Sequence, residues 1–207
     1  MKKKFFKIFI SLILPVIMLF TAGFYCAFSS FGTSRANALS GNGGIVYVGN
    51  GSKFNMTNGS LGGGSATNGG GVYVASGGTF NLSGGEVVGN TATNVGNNIY
   101  NSGTFTMTGG TVGQSGSATS GFGIYNTDTM NLYGGTVYDD IYSTVSFNTK
   151  MACAIGGTIN LDDSATITVE DYAGTTPTYK IKLENSRPSG TIVTLKGSST
   201  EPDLSKL

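Results

Sequence analysis

Short stretches of alternating apolar and polar residues recur along this chain about every 25 residues. The stretch from Thr79 to Gly85 returns at Thr104 to Gly110 and again at Thr129 to Gly135. Alternation with a period of two predicts a β-strand that buries one of its faces. A passage repeated at this short spacing predicts one structural unit that stacks on copies of itself.

Each repeat contains three apolar points, which predict three short strands. The first set is Val46, Val72, Ile99 and Ile124, each followed by a tyrosine. The second set is Phe54, Phe80, Phe105 and Met130 with Met56, Leu82, Met107 and Leu132, and we expect Ile159 and Leu161 to continue it slightly out of phase. The third set is Leu61, Val87, Val112 and Val137. Glycine-rich corners between them disfavour helices, so each repeat is predicted to be one turn of a parallel β-coil.

Beyond Val137 the repeat decays. We interpret Asp139 to Ala154 as a loop or an enlarged turn, and residues 162–197 as the last turns plus a β-rich cap. Within that part, Ala165 to Glu170 and Thr178 to Glu184 predict two strands with a turn between them, and Thr191 to Leu195 predicts a further strand. Residues 198–207 are predicted to form a flexible tail.

Three elements of the repeat carry a family resemblance. The runs Gly69 to Val74, Gly78 to Gly85 and Gly89 to Ala92 resemble right-handed parallel β-helix repeat proteins of bacterial cell surfaces, distantly similar to the pectate-lyase-like fold. The run from Gly69 to Val72 is also similar to the repeats of polymorphic outer-membrane adhesins. The resemblance covers roughly residues 43–137, and weakly 155–169. It implies an all-β, right-handed parallel β-helix of about five to six turns, and little about activity.

The amino-terminal segment has the pattern of a secretory signal. Lysines at positions 2, 3, 4 and 7 precede an apolar stretch from Ile8 to Phe28, and small residues follow it. We predict cleavage after Ala38. Because the apolar stretch is long enough to cross a bilayer, an uncleaved membrane anchor is the alternative. Either way residues 39–197, the predicted solenoid with its cap, are expected to be secreted or on the cell surface.

The charge balance changes once residues 1–38 are set aside. They contain five of the 12 basic residues and no acidic residue, so seven basic and 11 acidic residues remain, a net charge of −4. Nucleic acid is therefore not expected as a partner. A membrane is expected to be contacted only through the amino-terminal segment, if that segment is uncleaved. Between Gly41 and Thr127 the only charged residues are Lys53 and Glu86.

The chain offers little recognisable chemistry. It contains no histidine, which excludes histidine-dependent catalytic triads. The pairs Asp139-Asp140 and Asp162-Asp163 are 23 residues apart, close to one turn, and two such carboxylates could hydrolyse glycosides or bind Ca²⁺. The repeat alignment instead places Asp162 opposite Tyr133, so we interpret these groups as solvated turn carboxylates. We predict no catalytic residue, metal ligand or cofactor, and interpret Cys153 as a buried small apolar residue.

Two outward rows of side chains are candidate interaction surfaces. The first consists of Tyr47, Tyr73, Tyr100 and Tyr125. Exposed aromatic rows suggest carbohydrate binding, whereas a self-stacking row would stiffen the rod. The second consists of Thr79, Asn81, Thr104, Thr106, Thr129 and Asn131. It resembles the ice-binding faces of other β-solenoids, although Lys53, Tyr133 and Asp162 are expected to disturb its flatness.

Two classes of function are compatible with these features. The first is a non-catalytic structural or adhesin-like surface protein that displays its asparagine, threonine and tyrosine rows. The second is a carbohydrate-binding or polysaccharide-degrading protein, and a third alternative is a fragment of a larger surface protein. Glycans or surface proteins are the expected partners in each case.

Overall fold

The computed structural model describes residues 41–116, 121–162, 164–172, 179–183 and 192–197. All the regular secondary structure in these ranges is β-strand. Among the described residues no helix is long and apolar enough to cross a membrane. The predicted signal or anchor at residues 1–38 and the predicted tail at 198–207 lie outside these ranges.

In chain order the strands are β1 (Val46–Val48), β2 (Lys53–Met56), β3 (Ser60–Gly62), β4 (Ser65–Asn68), β5 (Val72–Val74), β6 (Thr79–Leu82), β7 (Glu86–Val88), β8 (Thr91–Val95), β9 (Ile99–Asn101), β10 (Thr104–Val112), β11 (Ile124–Asn126), β12 (Thr129–Val137), β13 (Ile141–Ser143), β14 (Phe147–Thr149), β15 (Cys153–Ile155), β16 (Thr158–Leu161), β17 (Ile167–Tyr172), β18 (Lys180–Leu183) and β19 (Val193–Gly197). All the strand pairs among them are parallel.

The strands form a parallel β-solenoid of about five turns, with three sheets along its length. Sheet I has seven strands in the order β1-β5-β9-β11-β13-β16-β18. Sheet II runs in the order β2-β6-β10-β12-β14-β17-β19, with β3, β7 and β15 attached to it beyond its corner. Within the described ranges, sheet III consists of β4 and β8. The all-β parallel coil predicted from the repeat is therefore confirmed.

Like residues from successive turns meet inside the coil. The rings of Phe54, Phe80 and Phe105 stack with centroids 5.2 Å apart at both steps. Met56, Leu82, Met107 and Leu132 form the neighbouring column in register. All of these side chains are buried, because alternation along each strand turns every second residue inward.

Glycine allows the corner that divides sheet II. At this corner Gly85, Gly110 and Gly135 adopt φ values of 82°, 81° and 89°, a conformation that side-chain-bearing residues rarely take. A Cβ atom on Gly110 would lie 2.6 Å from the carbonyl oxygen of Gly85 in the turn before. The corner can therefore repeat from turn to turn only if it carries no side chain.

The prediction of a loop from Asp139 to Ala154 is wrong, because this segment contains β13, β14 and the start of β15. The coil continues there with a shorter turn. Ile124 pairs with Ile141 17 positions later, whereas Ile99 pairs with Ile124 25 positions later. The missing residues come from the connection between sheet II and sheet I, which shrinks from residues 113–123 to residues 138–140.

This shortening also moves the strands that follow. The expectation that Ile159 and Leu161 continue the Phe and Met columns is wrong, since Ile159 pairs with Ile141 in sheet I. The Phe column is instead continued by Phe147, Ile167 and Val193. The two strands predicted between Ala165 and Glu184 exist as β17 and β18, but they lie in different sheets and continue the parallel coil. β19 confirms the further strand near the carboxyl end.

Candidate interaction surfaces

The tyrosines of sheet I stack into one continuous row. Their ring centroids are 4.8 to 5.5 Å apart and their planes differ by 1° to 16°. The row contains the four predicted members and one that the repeat did not reveal, and we call it the tyrosine ladder: Tyr47, Tyr73, Tyr100, Tyr125 and Tyr142. Phe122 lies tilted against its last two rings.

Stacking determines which parts of the tyrosine rings are accessible to a ligand. Each inner ring is covered on both faces by its neighbours, so ring edges and hydroxyl groups form the outer surface. Tyr47, at the end of the ladder, is 53% exposed, while the other members are half-buried. Burial first, then the electrostatic influence of Tyr100 and Asp162, raises the pKa of Tyr125. Its hydroxyl therefore stays a neutral hydrogen-bond donor at physiological pH.

The outer face of sheet II displays two parallel polar rows, which we call the threonine-asparagine face. One row is Lys53, Thr79, Thr104 and Thr129 in register. The other is Asn55, Asn81, Thr106, Asn131, Asn148, Thr168 and Thr194. The second row thus extends three strands beyond the part that the repeat predicted. All of its members are half-buried, as expected for side chains packed between their own neighbours.

Asparagines along this face bond to one another between turns. Asn81 Nδ2 donates to Asn55 Oδ1 at 2.8 Å, and Asn148 Nδ2 donates to Asn131 Oδ1 at 3.1 Å. Lys53 begins the face, as predicted. Asp162 does not border it, because β16 lies in sheet I, and the alignment of Asp162 with Tyr133 is wrong.

A small charged cluster interrupts the face beside Asn131. The Lys150 ammonium lies 5.0 Å from the ring centroid of Tyr133, within cation-π range. Burial, followed by the charge and hydrogen bond of Glu170, raises the pKa of Tyr133, whose hydroxyl also donates to Asn131 Oδ1 at 3.3 Å. Tyr133 thus disturbs the flatness of this surface, as the sequence indicated.

A second set of amides is buried inside the coil. Asn101 and Asn126 occupy the column that Val48 and Val74 fill in earlier turns. Asn101 Nδ2 donates to Asn126 Oδ1 at 2.7 Å, and Asn126 Nδ2 donates to Ser143 Oγ at 2.9 Å. Both asparagines are 0% exposed. The sequence analysis did not predict this internal ladder, because the tripeptide Ile-Tyr-Asn does not indicate whether its asparagine faces the interior or the solvent.

The carboxylate of Asp139 is also inside, where it ends a chain of amides. Asn98 Nδ2 donates to Asp139 Oδ2 at 2.6 Å, and Asn90 Nδ2 donates to Asn98 Oδ1 at 2.8 Å. Asp139 is 5% exposed, so its interpretation as a solvated turn carboxylate is wrong. Burial raises its pKa, with bonds from Asn98 and from the backbone of Gln114 opposing that shift and the charge of Asp140 adding to it.

The described members of the two aspartate pairs, Asp139, Asp140 and Asp162, do not face each other one turn apart. Because Ile141 pairs with Ile159, the residue one turn after Asp140 is Thr158, whose backbone N–H donates to Asp140 Oδ1 at 2.6 Å. Asp162 instead follows the far end of β16, and Asp163 lies outside the described residues. Cys153 is 2% exposed, and burial raises its pKa to about 12, which agrees with its interpretation as a small core residue.

These features define the class of the molecule: an all-β parallel solenoid with two outward ladders of neutral polar groups. Comparison with known proteins places it in no narrower group, because no protein-family model, no curated protein and no solved structure matches the chain.

Proposed function

We propose that this protein is a non-catalytic structural or adhesin-like solenoid of the cell surface or extracellular space. It displays the tyrosine ladder and the threonine-asparagine face to a partner, a glycan or a surface protein. The two ladders are the observation that carries this proposal. Apart from Lys53 at the first strand, both consist of neutral hydrogen-bonding groups held at the strand spacing by a buried core, so they present a repeated surface with little conformational freedom to lose.

The distribution of charge supports the same proposal. Only Lys53 and Glu86 are charged between Gly41 and Thr127, so the first turns must interact through hydroxyl and amide groups rather than through charge. The basic-apolar-small order of residues 1–38 supports export. The resemblance of the repeats to bacterial surface β-helix proteins supports the adhesin-like interpretation.

Binding of the purified full chain to immobilised glycans and matrix proteins tests the proposal. The diagnostic variant replaces Tyr73, Tyr100 and Tyr125 by phenylalanine, which keeps the stacked rings and removes their hydroxyls. A second variant replaces Thr104 and Thr129 by valine. We expect one of them to lose most of the binding with unchanged circular dichroism. Full binding by both variants, or release of reducing ends from a polysaccharide substrate, would overturn the proposal.

The location is tested separately by labelling intact cells of the source organism with an antibody raised against residues 41–116. We expect intact cells, or their medium, to be labelled without permeabilisation. Labelling that requires permeabilised cells would contradict the extracellular assignment.

A further inference from the structure

An open recess lies where the long turns give way to the short ones. The connection formed by residues 113–123 precedes the much shorter connections 138–140 and 156–157 in the next two turns. Gln114 and Ser115 therefore project beside a narrower part of the coil. The recess has a volume of about 570 Å³, within the range of about 300 to 1,000 Å³ that small-ligand sites occupy.

Regular stacking builds one wall of this recess. Asp140, Thr158 and Lys180 occupy the same position in three successive turns, directly before or at the start of their sheet I strands. The bond from the Thr158 backbone N–H fixes Asp140 Oδ1 at 2.6 Å. An ionised carboxylate has lone pairs for further donors, while the Lys180 ammonium offers donors only. The wall thus places an acceptor and a donor two turns apart on a rigid sheet.

The lining of the recess also includes an aromatic ring and an amide. Tyr138 lines the recess and is 42% exposed, one of two exposed large hydrophobic side chains among the described residues. Its ring lies outside the tyrosine ladder, so no neighbouring tyrosine of that ladder covers its faces. An exposed ring with a hydroxyl at its edge presents an apolar surface next to hydrogen-bonding groups. Gln114 and Ser115 supply groups that both donate and accept.

We infer that this recess binds a neutral saccharide, with the Tyr138 ring against the apolar face of one sugar unit and Asp140, Lys180 and Gln114 bonded to its hydroxyls. Sugar hydroxyls both donate and accept, which suits a wall that alternates acceptor and donor. The Lys180 ammonium is balanced by the exposed Asp140 carboxylate, and the second carboxylate of the lining, Asp139, is buried and bonded to Asn98. This absence of excess positive charge favours an uncharged ligand over a phosphorylated one. The site is independent of the ladders in the proposed function, because none of its residues belongs to either ladder.

Titration calorimetry of the full chain with neutral hexasaccharides of glucose, N-acetylglucosamine, mannose and xylose tests the inference. We expect at least one to bind, and Tyr138→Ala and Asp140→Asn each to weaken that binding about tenfold, the factor that corresponds to 1.4 kcal/mol. Tyr138→Phe keeps the ring and should stay within about threefold of the original affinity. Glu86→Gln removes an exposed carboxylate that lies outside the recess and both ladders, so as the control it should leave the affinity unchanged. Tyr47→Ala reports separately whether the sugar binds the tyrosine ladder instead.

Three results would overturn the inference. The first is the absence of binding by every hexasaccharide at millimolar concentration. The second is binding that survives both Tyr138→Ala and Asp140→Asn in folded protein. The third is binding lost in Tyr47→Ala alone, which would place the sugar on the tyrosine ladder and leave the proposed function standing.

Discussion

Asparagine has two opposite consequences in this molecule, depending on which face of a strand carries it. On the surface, Asn94 Nδ2 donates to Asn68 Oδ1 at 2.9 Å, and water can replace that bond. Inside, Asn126 bonds to both Asn101 and Ser143, with no water to replace either partner. A buried polar group left without its partner costs its desolvation free energy, about 1 to 3 kcal/mol.

The first prediction compares these two sites. We expect Asn126→Ala to lower the free energy of unfolding by about 1 to 3 kcal/mol, because it removes two buried hydrogen bonds. Asn101 Nδ2 keeps its bond to the Thr129 carbonyl, and Ser143 Oγ keeps its bond to the Val145 carbonyl. Asn94→Ala removes a similar bond from the exposed row and should cost less than about 0.5 kcal/mol. Urea unfolding followed by circular dichroism measures both. Equal losses for the two variants would mean that the internal ladder does not stabilise the coil.

The second prediction concerns the buried Asp139. Its folded pKa is raised above the ordinary 3.8, so the folded chain holds a proton that the unfolded chain has released. The resulting stability is present below the unfolded pKa and is lost as the pH rises through the folded pKa. We expect Asp139→Asn to abolish this part of the pH dependence, whose slope cannot exceed about 1.4 kcal/mol per pH unit for one proton.

Urea unfolding at a series of pH values from mildly acidic to neutral measures that slope. Asp128→Asn is the control, because Asp128 is exposed and bonds to the adjacent Thr129. It leaves Asp139 in place, so the slope assigned to Asp139 should remain. If the Asp139→Asn and unmodified proteins show parallel curves, Asp139 is not the buried titrating group.

At the scale of single elements, the corner of sheet II depends on the absence of a side chain. The third prediction is that Gly110→Ala lowers the free energy of unfolding by about 3 kcal/mol or more, through left-handed strain and a backbone clash. Gly89→Ala meets the same strain at φ 64° but has nothing within 4 Å of its Cβ, so about 1 to 2 kcal/mol is expected. The difference in urea midpoints isolates the clash, and no difference would show that the corner can shift to admit a methyl group.

The tyrosine ladder leads to a fourth prediction. Tyr100 stacks on both neighbours, at 4.8 and 5.5 Å, whereas Tyr47 stacks on one at 5.3 Å. Since each aromatic pair contributes about 0.5 to 1.5 kcal/mol, Tyr100→Ala should cost about twice as much stability as Tyr47→Ala. Thermal unfolding of both variants provides the comparison. A larger loss in Tyr47→Ala would show that the ladder contributes nothing along its length.

The sequence predicts these elements as far as their spacing stays regular. Phe80, Phe105 and the tyrosines after Val72 and Ile99 could be placed because identical residues recur at nearly constant distance. Ile141-Tyr142 repeats the same pair, but it comes only 17 positions after Ile124, and a search at the longer period passes over it. A search for the pair itself would have found the shorter turn.

The buried partners could not be predicted in this way. Asn98 and Asp139 are 41 positions apart, and their bond exists only because two corners of the coil overlap in space. The local pattern of apolar and polar residues predicts that Asp139 is a solvated turn residue, because Asp139 lies between the end of a strand and another aspartate. The recess beside Tyr138 depends on the same overlap, which explains why no motif indicated it.

At the scale of the whole molecule, each turn contacts mainly the turns before and after it, so the solenoid should tolerate the loss of a complete turn. Removal of residues 106–130 joins Phe105 to Asn131, which are consecutive positions of the coil because Phe105 and Met130 are in register. Tyr100 then meets Tyr142, and Asn101 meets Ser143, as their counterparts in the deleted turn did. Both ladders remain continuous across the junction.

The fifth prediction is that this deletion keeps the β-sheet circular dichroism and a single unfolding transition. It should lower the free energy of unfolding by about 1 to 4 kcal/mol, the share of 25 residues at 0.05 to 0.15 kcal/mol each. Removal of residues 106–118 is the control. It deletes about half as much chain, but it brings residues of a sheet I strand to a position that stacks on sheet II. The turns on either side therefore cannot stack in register. We expect the shorter deletion to destabilise the protein more, with two unfolding transitions or none. The reason is that stability depends on the register between successive turns rather than on the number of residues. If the shorter deletion lowers the free energy of unfolding no more than the deletion of the complete turn, the stacking of neighbouring turns does not depend on contacts between like residues.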